Sequence, residues 1–190
     1  MLIKMNYKPQ SINNVMPEHD EYVISLDNSK RDGGSLTAPK FRLNISGMIG
    51  KPEIYDTNHI YLVPLFFYGM IPDNDTDVFV NSASQYWELR CNEVVSMNHL
   101  NKDLSQNVIC KGFLQDSTQA NLMVLKYENL DNVNNKYLRV DPQILNNNEI
   151  ELELYDVLGS RIEIGSDNQT ALNRHFKFEF KIVMFKKQKF

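Results

Sequence analysis

Only two cysteines, Cys91 and Cys110, occur in 190 residues. A disulfide framework in a chain this long needs more than one possible pair, so both are read as buried, unbridged thiols. Long apolar runs are missing too. The longest, Ile60 to Ile71, is broken by Pro64 and Gly69 and is too short to span a bilayer. The segment Met1-Leu2-Ile3-Lys4-Met5-Asn6 has no apolar core of signal-peptide length, which points to a protein made and used inside a cell. The three Asn-x-Ser/Thr sequons, at Asn44, Asn74 and Asn168, are then chance matches in an Asn-rich chain. A formal net charge of -4 is too small, and of the wrong sign, for a dedicated nucleic-acid binder.

Chemical signatures are equally sparse. His19, His59, His99 and His175 stand far apart, with no His-x-His pair to converge on a metal ion. The stretch Asp73-Asn74-Asp75-Thr76-Asp77 superficially opens like a calcium loop. Val78 stands where the sharp turn needs glycine, and Ser84 where a bidentate glutamate belongs, so a solvated acidic turn is the better reading. No Gly-x-Ser-x-Gly elbow occurs, and Gly33-Gly34 lacks the Lys-Ser/Thr of a phosphate loop. No catalytic, cofactor-binding or metal-ligating residue is nominated, and the chain is read as not an enzyme.

What the chain does have is alternation. Ile150-Glu151-Leu152-Glu153-Leu154 runs into a turn at Asp156 to Ser160 and on to Arg161-Ile162-Glu163-Ile164. Phe176-Lys177-Phe178-Glu179-Phe180-Lys181-Ile182 repeats the pattern. A period of two puts apolar side chains on one strand face and charges on the other. Further strands are expected at Tyr22–Leu26, Lys40–Ser46, His59–Ile71, Val78–Val80, Tyr86–Arg90, Asn107–Leu114, Asn121–Tyr127 and Tyr137–Val140. Pro64 marks an edge, a bulge or a break, and Asn28 to Ala38 reads as a turn-rich loop. Leu89 to Leu104 is the best helical window, and it is mixed. Glu149, Glu151 and Glu153 share one strand face, read as a wet surface met by Lys177 and Lys181 across the sheet. Many short strands separated by turns indicate an all-β antiparallel sandwich, a single jelly roll. Residues 1–20 form an extended N-terminal arm and residues 21–190 the sandwich domain. The basic tail Lys186 to Phe190 is read as a solvated terminus that neighbours could order.

The chain resembles the small single jelly-roll minor capsid and penton-type proteins of large eukaryotic double-stranded DNA viruses and virophages. The resembling pieces are Tyr22 to Ser29 after a short arm, Phe41 to Ile45, Ile150 to Asp156 with Gly159 in the turn, and the closing strand Phe176 to Val183. The resemblance implies a virion component assembled in the infected host cell. Its partners would be the major capsid protein and other minor capsid proteins, with a homo-pentamer if it is a penton. It implies no catalytic residue, cofactor, membrane span or specific nucleic acid. The rival reading is a carbohydrate-binding sandwich using exposed aromatics such as Trp87 and Tyr86.

Overall fold

The computed structural model describes residues 17–50, 52–72, 86–95, 107–116, 122–129, 137–156, 158–164 and 175–187. They form eleven strands: β1 His19–Asp27, β2 Arg31–Ser35, β3 Ala38–Arg42, β4 Tyr55–Pro72, β5 Tyr86–Cys91, β6 Val108–Asp116, β7 Leu122–Glu128, β8 Leu138–Val140, β9 Glu149–Asp156, β10 Arg161–Ile162 and β11 Phe176–Lys186. Every ladder between them is antiparallel.

The pairing is nested. Leaving aside β2, β8 and β10, the first strand pairs the last (β1 with β11), the second the penultimate (β3 with β9), the third β7 from β4, and the innermost two each other (β5 with β6). This is one long hairpin of eight strands. Lateral contacts of β4 with β11 and of β5 with β9 roll it up into layers ordered β1-β11-β4-β7 and β6-β5-β9-β3. That path is a jelly roll. The layers stay continuous through β6 and β7, where Leu114 pairs Leu125. β2, β8 and β10 extend β3, β4 and β9.

The alternation in β11 explains why the roll closes. Phe176, Phe178, Phe180, Ile182 and Met184 all enter the core. Phe41 of β3 meets Phe176 edge-on at 5.5 Å, and Trp87 of β5 lies 5.4 Å from Phe67 of β4, so both layers are tied by aromatic pairs. At the far end the buried Asn28 side-chain oxygen accepts the Phe176 backbone N–H at 3.1 Å.

Pro64 marks a bulge. The register of β4 against β11 slips between Phe66 and Pro64, leaving Leu65 as the extra residue. Ile60 and Leu62 point inward before it, and Phe67 and Ile71 after it. One inserted residue restores the apolar face that strict alternation along an 18-residue strand would have lost. Pro64 also falls in the interval 63–65, which neither β8 nor β7 pairs.

Some expectations shift. The loop Asn28–Ala38 contains a strand, β2, turning back into β3. Gly34 sits at φ 73°, and a Cβ there would come within 2.2 Å of the Ala38 carbonyl. The strand expected over Lys40–Ser46 ends at Arg42. Asn44 instead caps a short helix, Ile45–Ile49, by accepting the Gly47 N–H at 3.1 Å. A second short helix spans Ile144–Asn147. In the helical window, Leu89–Cys91 belongs to β5, and residues 96–104 lie outside the described residues. The strand expected at Val78–Val80 also lies outside them. Residues 1–16 of the expected arm are likewise undescribed, and β1 already begins at His19.

Candidate functional site

Strand direction sorts the molecule into two ends. Successive strands of the nested hairpin alternate up and down. The start of β1 and the end of β11 therefore lie at one end, beside the start of β4. A groove opens there on the outer face of the β1-β11-β4 layer. It has a volume of about 640 Å³ and is lined by Pro17, Asp56, His59, Tyr61, Phe185, Lys186 and Lys187.

Two rings line it, Phe185 of β11 and Tyr61 of β4. They belong to a longer row of ring contacts on this layer, which runs from His19 of β1 through Phe185 and Tyr61 to Tyr137 just before β8. Successive ring centroids are 5.5, 5.6 and 6.0 Å apart, with interplanar angles of 48°, 88° and 83°. None of the four belongs to the core cluster. On the same outward side, Val63 and Val183 are 1% and 0% exposed although they too stand outside that cluster. The polar face of β11 thus turns apolar after Lys181. The sequence carries this signal: the alternating positions 177, 179 and 181 are charged, and 183 and 185 are Val and Phe.

The rim is polar and nearly balanced in charge. His59 Nδ1 contacts Asp56 Oδ2 at 2.6 Å, and this hydrogen bond holds the Asp56 carboxyl below the usual carboxylate range. Lys186 Nζ donates to Glu18 at 2.6 Å and lies 3.6 Å from Asp20, which raises the lysine's affinity for its proton. Tyr55 donates to Asp20 Oδ2 at 2.5 Å and shares a 2.9 Å hydrogen bond with Tyr22, so its phenol is held strongly protonated. Backbone bonds from Lys186 to Glu18 and from Lys187 to Ile54 fix the wall. The first residues of the basic tail are therefore folded, while residues 188–190 lie outside the described set.

A second exposed feature lies on the other layer. Tyr86 and Phe113 pair across β5 and β6 with rings 5.8 Å apart, and Phe113 is 63% exposed. Trp87, the ring on which the rival carbohydrate reading drew, is fully buried. Its Nε1–H donates to the Phe113 carbonyl at 3.2 Å, and its body packs on Phe67. The glycan reading therefore loses its tryptophan. Of the neighbouring aromatics Phe66, Phe67 and Tyr68, the middle one is core and the others are half-buried.

The remaining sequence candidates do not converge. Cys91 and Cys110 are buried thiols, and burial pushes the Cys91 thiol well up. His19 and His59 lie at the groove end and His175 at the opposite end, directly before β11. His99 and the acidic stretch Asp73–Asp77 are outside the described residues. No metal-holding cluster occurs among the described residues. The glutamate row needs correction. Strand β9 lies in the layer opposite β11, so Lys177 and Lys181 do not meet it. Lys177 pairs Glu179, and Lys181 pairs Glu21 at 2.8 Å. Glu149 and Glu151 face Lys40 at 3.0 and 3.5 Å. Glu153 is buried rather than wet, held by Arg161 at 2.8 Å and by the Tyr155 hydroxyl at 2.6 Å. Tyr155 in turn lies under the Arg90 guanidinium at 4.0 Å.

No family model and no curated protein matches the chain. Among solved structures, a chain of the three-dimensional structure of Cocksfoot mottle virus aligns over 100% of this chain and 94% of its own, with 8% identity and a TM-score of 0.25. Overlap of that extent does not establish a shared fold. The jelly-roll assignment rests on the strand pairing. Among the described residues, no helix is long and apolar enough to cross a membrane.

Proposed function

We infer that this protein is a structural component of a virus particle, a minor capsid or penton-type protein that works through protein–protein contacts and not through catalysis. The observation that carries the reading is the nested eight-strand path, the architecture that the alternating strands and the capsid resemblance led us to expect. The warrant is one of fold, since a jelly roll serves many functions. The surface agrees with it. Its two distinctive features are an aromatic groove and an exposed aromatic pair, both suited to contact. The partners are the major capsid protein and other minor capsid proteins, with a pentamer in the penton case.

The test is mass spectrometry of gradient-purified particles from the source of the sequence, alongside sedimentation of the isolated protein. The expected result is the chain in the particle fraction at a fixed ratio to the major shell protein. A chain absent from intact particles overturns the reading. The glycan alternative keeps one observation in its favour, the exposed Phe113 beside Tyr86. A glycan array without saturable hits removes it.

A further inference from the structure

We propose that the open edge of β1 is a self-association surface. Two copies of this chain pair β1 with β1, antiparallel about a two-fold axis at Val23, and join their β1-β11-β4-β7 layers into one sheet. The proposal goes beyond the contact-protein reading and stands or falls without it, because it concerns the chain alone in solution.

The described sheet path begins at β1 and ends at β2, and the two edges differ. β2 is five residues long, carries two glycines and an aspartate, and is bulged against β3 between Arg31 and Gly33. Those features blunt an edge. β1 runs nine residues in unbroken register with β11 and contains neither proline nor glycine. The phase of its hydrogen bonds follows from the Lys186 N–H, which donates to the Glu18 carbonyl across the same two chains. Hydrogen-bonded pairs alternate along an antiparallel ladder. Even-numbered residues of β1 therefore turn their backbone groups to β11, and odd-numbered ones turn theirs to the open side. The Ser25 carbonyl fits this phase, since it accepts from Lys30 Nζ at 2.7 Å. Among the described residues, nothing bonds to the backbone groups of Glu21 and Val23 on that side. Val23, at the strand's midpoint, is 62% exposed, at a place where edge strands commonly carry a charge.

The strand also complements itself. Pairing about Val23 overlaps all nine residues and sets odd residue against odd residue, so the free N–H and C=O groups of both copies face each other. His19 then lies opposite Asp27, Glu21 opposite Ser25, and Val23 opposite Val23. On the inner face Tyr22 lies opposite Ile24. No like charges are opposed, and each end sets a histidine against a carboxylate. Other registers lose this. Centring on Glu21 opposes two glutamates, and centring on Ile24 opposes Glu21 to Asp27. Centring on Tyr22 or Ser25 leaves His19 and Asp27 unmatched. Lys30, now on the Ser25 carbonyl, comes beside Glu21 of the second copy and exchanges the carbonyl for that carboxylate. The same patch serves both copies, so the ladder closes at two.

The test is sedimentation velocity of the full chain from about 1 to about 100 μM. A concentration-dependent equilibrium of monomer and dimer is expected. Val23→Lys opposes two ammonium groups at the axis. Val23→Pro removes an N–H that faces the open side and leaves the β11 ladder intact. Each should weaken the dimer at least about tenfold. Val23→Cys reads the register: residues opposed in a hydrogen-bonded pair stand about 5.5 Å apart between Cα atoms, within disulfide reach. Oxidised glutathione should link that variant into dimers much faster than Glu21→Cys, whose opposite number is Ser25. Circular dichroism identifies any variant that fails to fold, and Val23→Lys carries the comparison if Val23→Pro does. Failure of both to fold overturns the proposal, because an outward side chain on a free edge tolerates either change. A monomer at every concentration, a larger closed ring, a dimer unchanged in the folded variants, or equal linking of the two cysteine variants also overturns it. So does a dimer lost when residues 1–16 are removed, or one seen only then, since the leading segment is in those cases what meets the edge. Absence of the chain from particles defeats the contact reading and leaves this ladder standing.

Discussion

Trp87 shows how much a single position can depend on its cross-strand neighbour. It pairs Gly112 across β5 and β6, and a Cβ at Gly112 would stand 2.9 Å from Trp87 Cζ2 and 3.1 Å from the Lys126 carbonyl. Gly112→Ala must displace either a ring packed on Phe67 or the backbone of β7. The expected cost is about 1–3 kcal/mol in urea unfolding, and a cost within about 0.5 kcal/mol would show that the ring moves freely. Glu93 offers a second test. Its Oε2 accepts the Glu151 N–H at 3.0 Å and the Cys91 thiol at 3.3 Å, and burial raises its pKa despite those bonds. The native state therefore holds this proton more tightly than the unfolded chain does. Its contribution is most favourable below the ordinary glutamate value and is lost as pH rises through the raised one. Glu93→Gln keeps an acceptor and removes the titration. Its stability relative to the parent should improve as pH rises from the ordinary glutamate value through the raised one and level off beyond it, read from urea midpoints, and a constant difference throughout would count against this account. Residue-scale burial was only partly legible in the sequence. Alternation gives the face a residue occupies, so Cys91 and the β11 phenylalanines were readable as core. It does not give the strand across the sheet, so Glu153 looked wet and was assigned the wrong lysines.

At the scale of elements, legibility tracked local chemistry. The strands β5, β9 and β11 carry their own period of two, and these, with β6 and β7, lie close to the positions read from sequence. The strand expected over Lys40–Ser46 stops short because Asn44 offers the backbone a competing hydrogen bond, which alternation cannot reveal. Removing that competitor should weaken the corner between β3 and β4. Asn44→Ala is expected to cost about 1 kcal/mol and Asn44→Asp much less, since aspartate also caps. Thermal unfolding of the two variants checks this, and equal losses would show that the cap is not what holds the helix. β4 gives the opposite lesson. Pro64 announced an irregularity, and the structure resolves it as a bulge in a continuous strand because inserting Leu65 keeps both halves facing inward. The aromatic row was missed because its rings come from four separate elements. Only its β11 portion, where the charged face gives way to Val183 and Phe185, could be seen in one stretch of sequence.

For the whole molecule, the nested pairing makes the first and last strands immediate neighbours. β1 is bound along its full length to β11, from His19 opposite Phe185 to Asp27 opposite Lys177. The described ladder begins at His19, and the described core cluster begins at Ile24. A chain lacking residues 1–16 should therefore keep the far-ultraviolet circular dichroism spectrum of the parent and unfold within about 1 kcal/mol of it. Removal of residues 1–27 takes away β1 itself. It exposes the edge of β11 and takes Ile24 and Leu26 out of the core, so that chain should aggregate or fail to fold. Entry into particles is then the informative measurement for the shorter deletion. If the leading segment serves contact with neighbours, the folded chain lacking residues 1–16 should be depleted from particles when competed against the parent at equal expression. If it enters as well as the parent, contact is made by the sandwich surfaces alone, and the arm has no part in assembly.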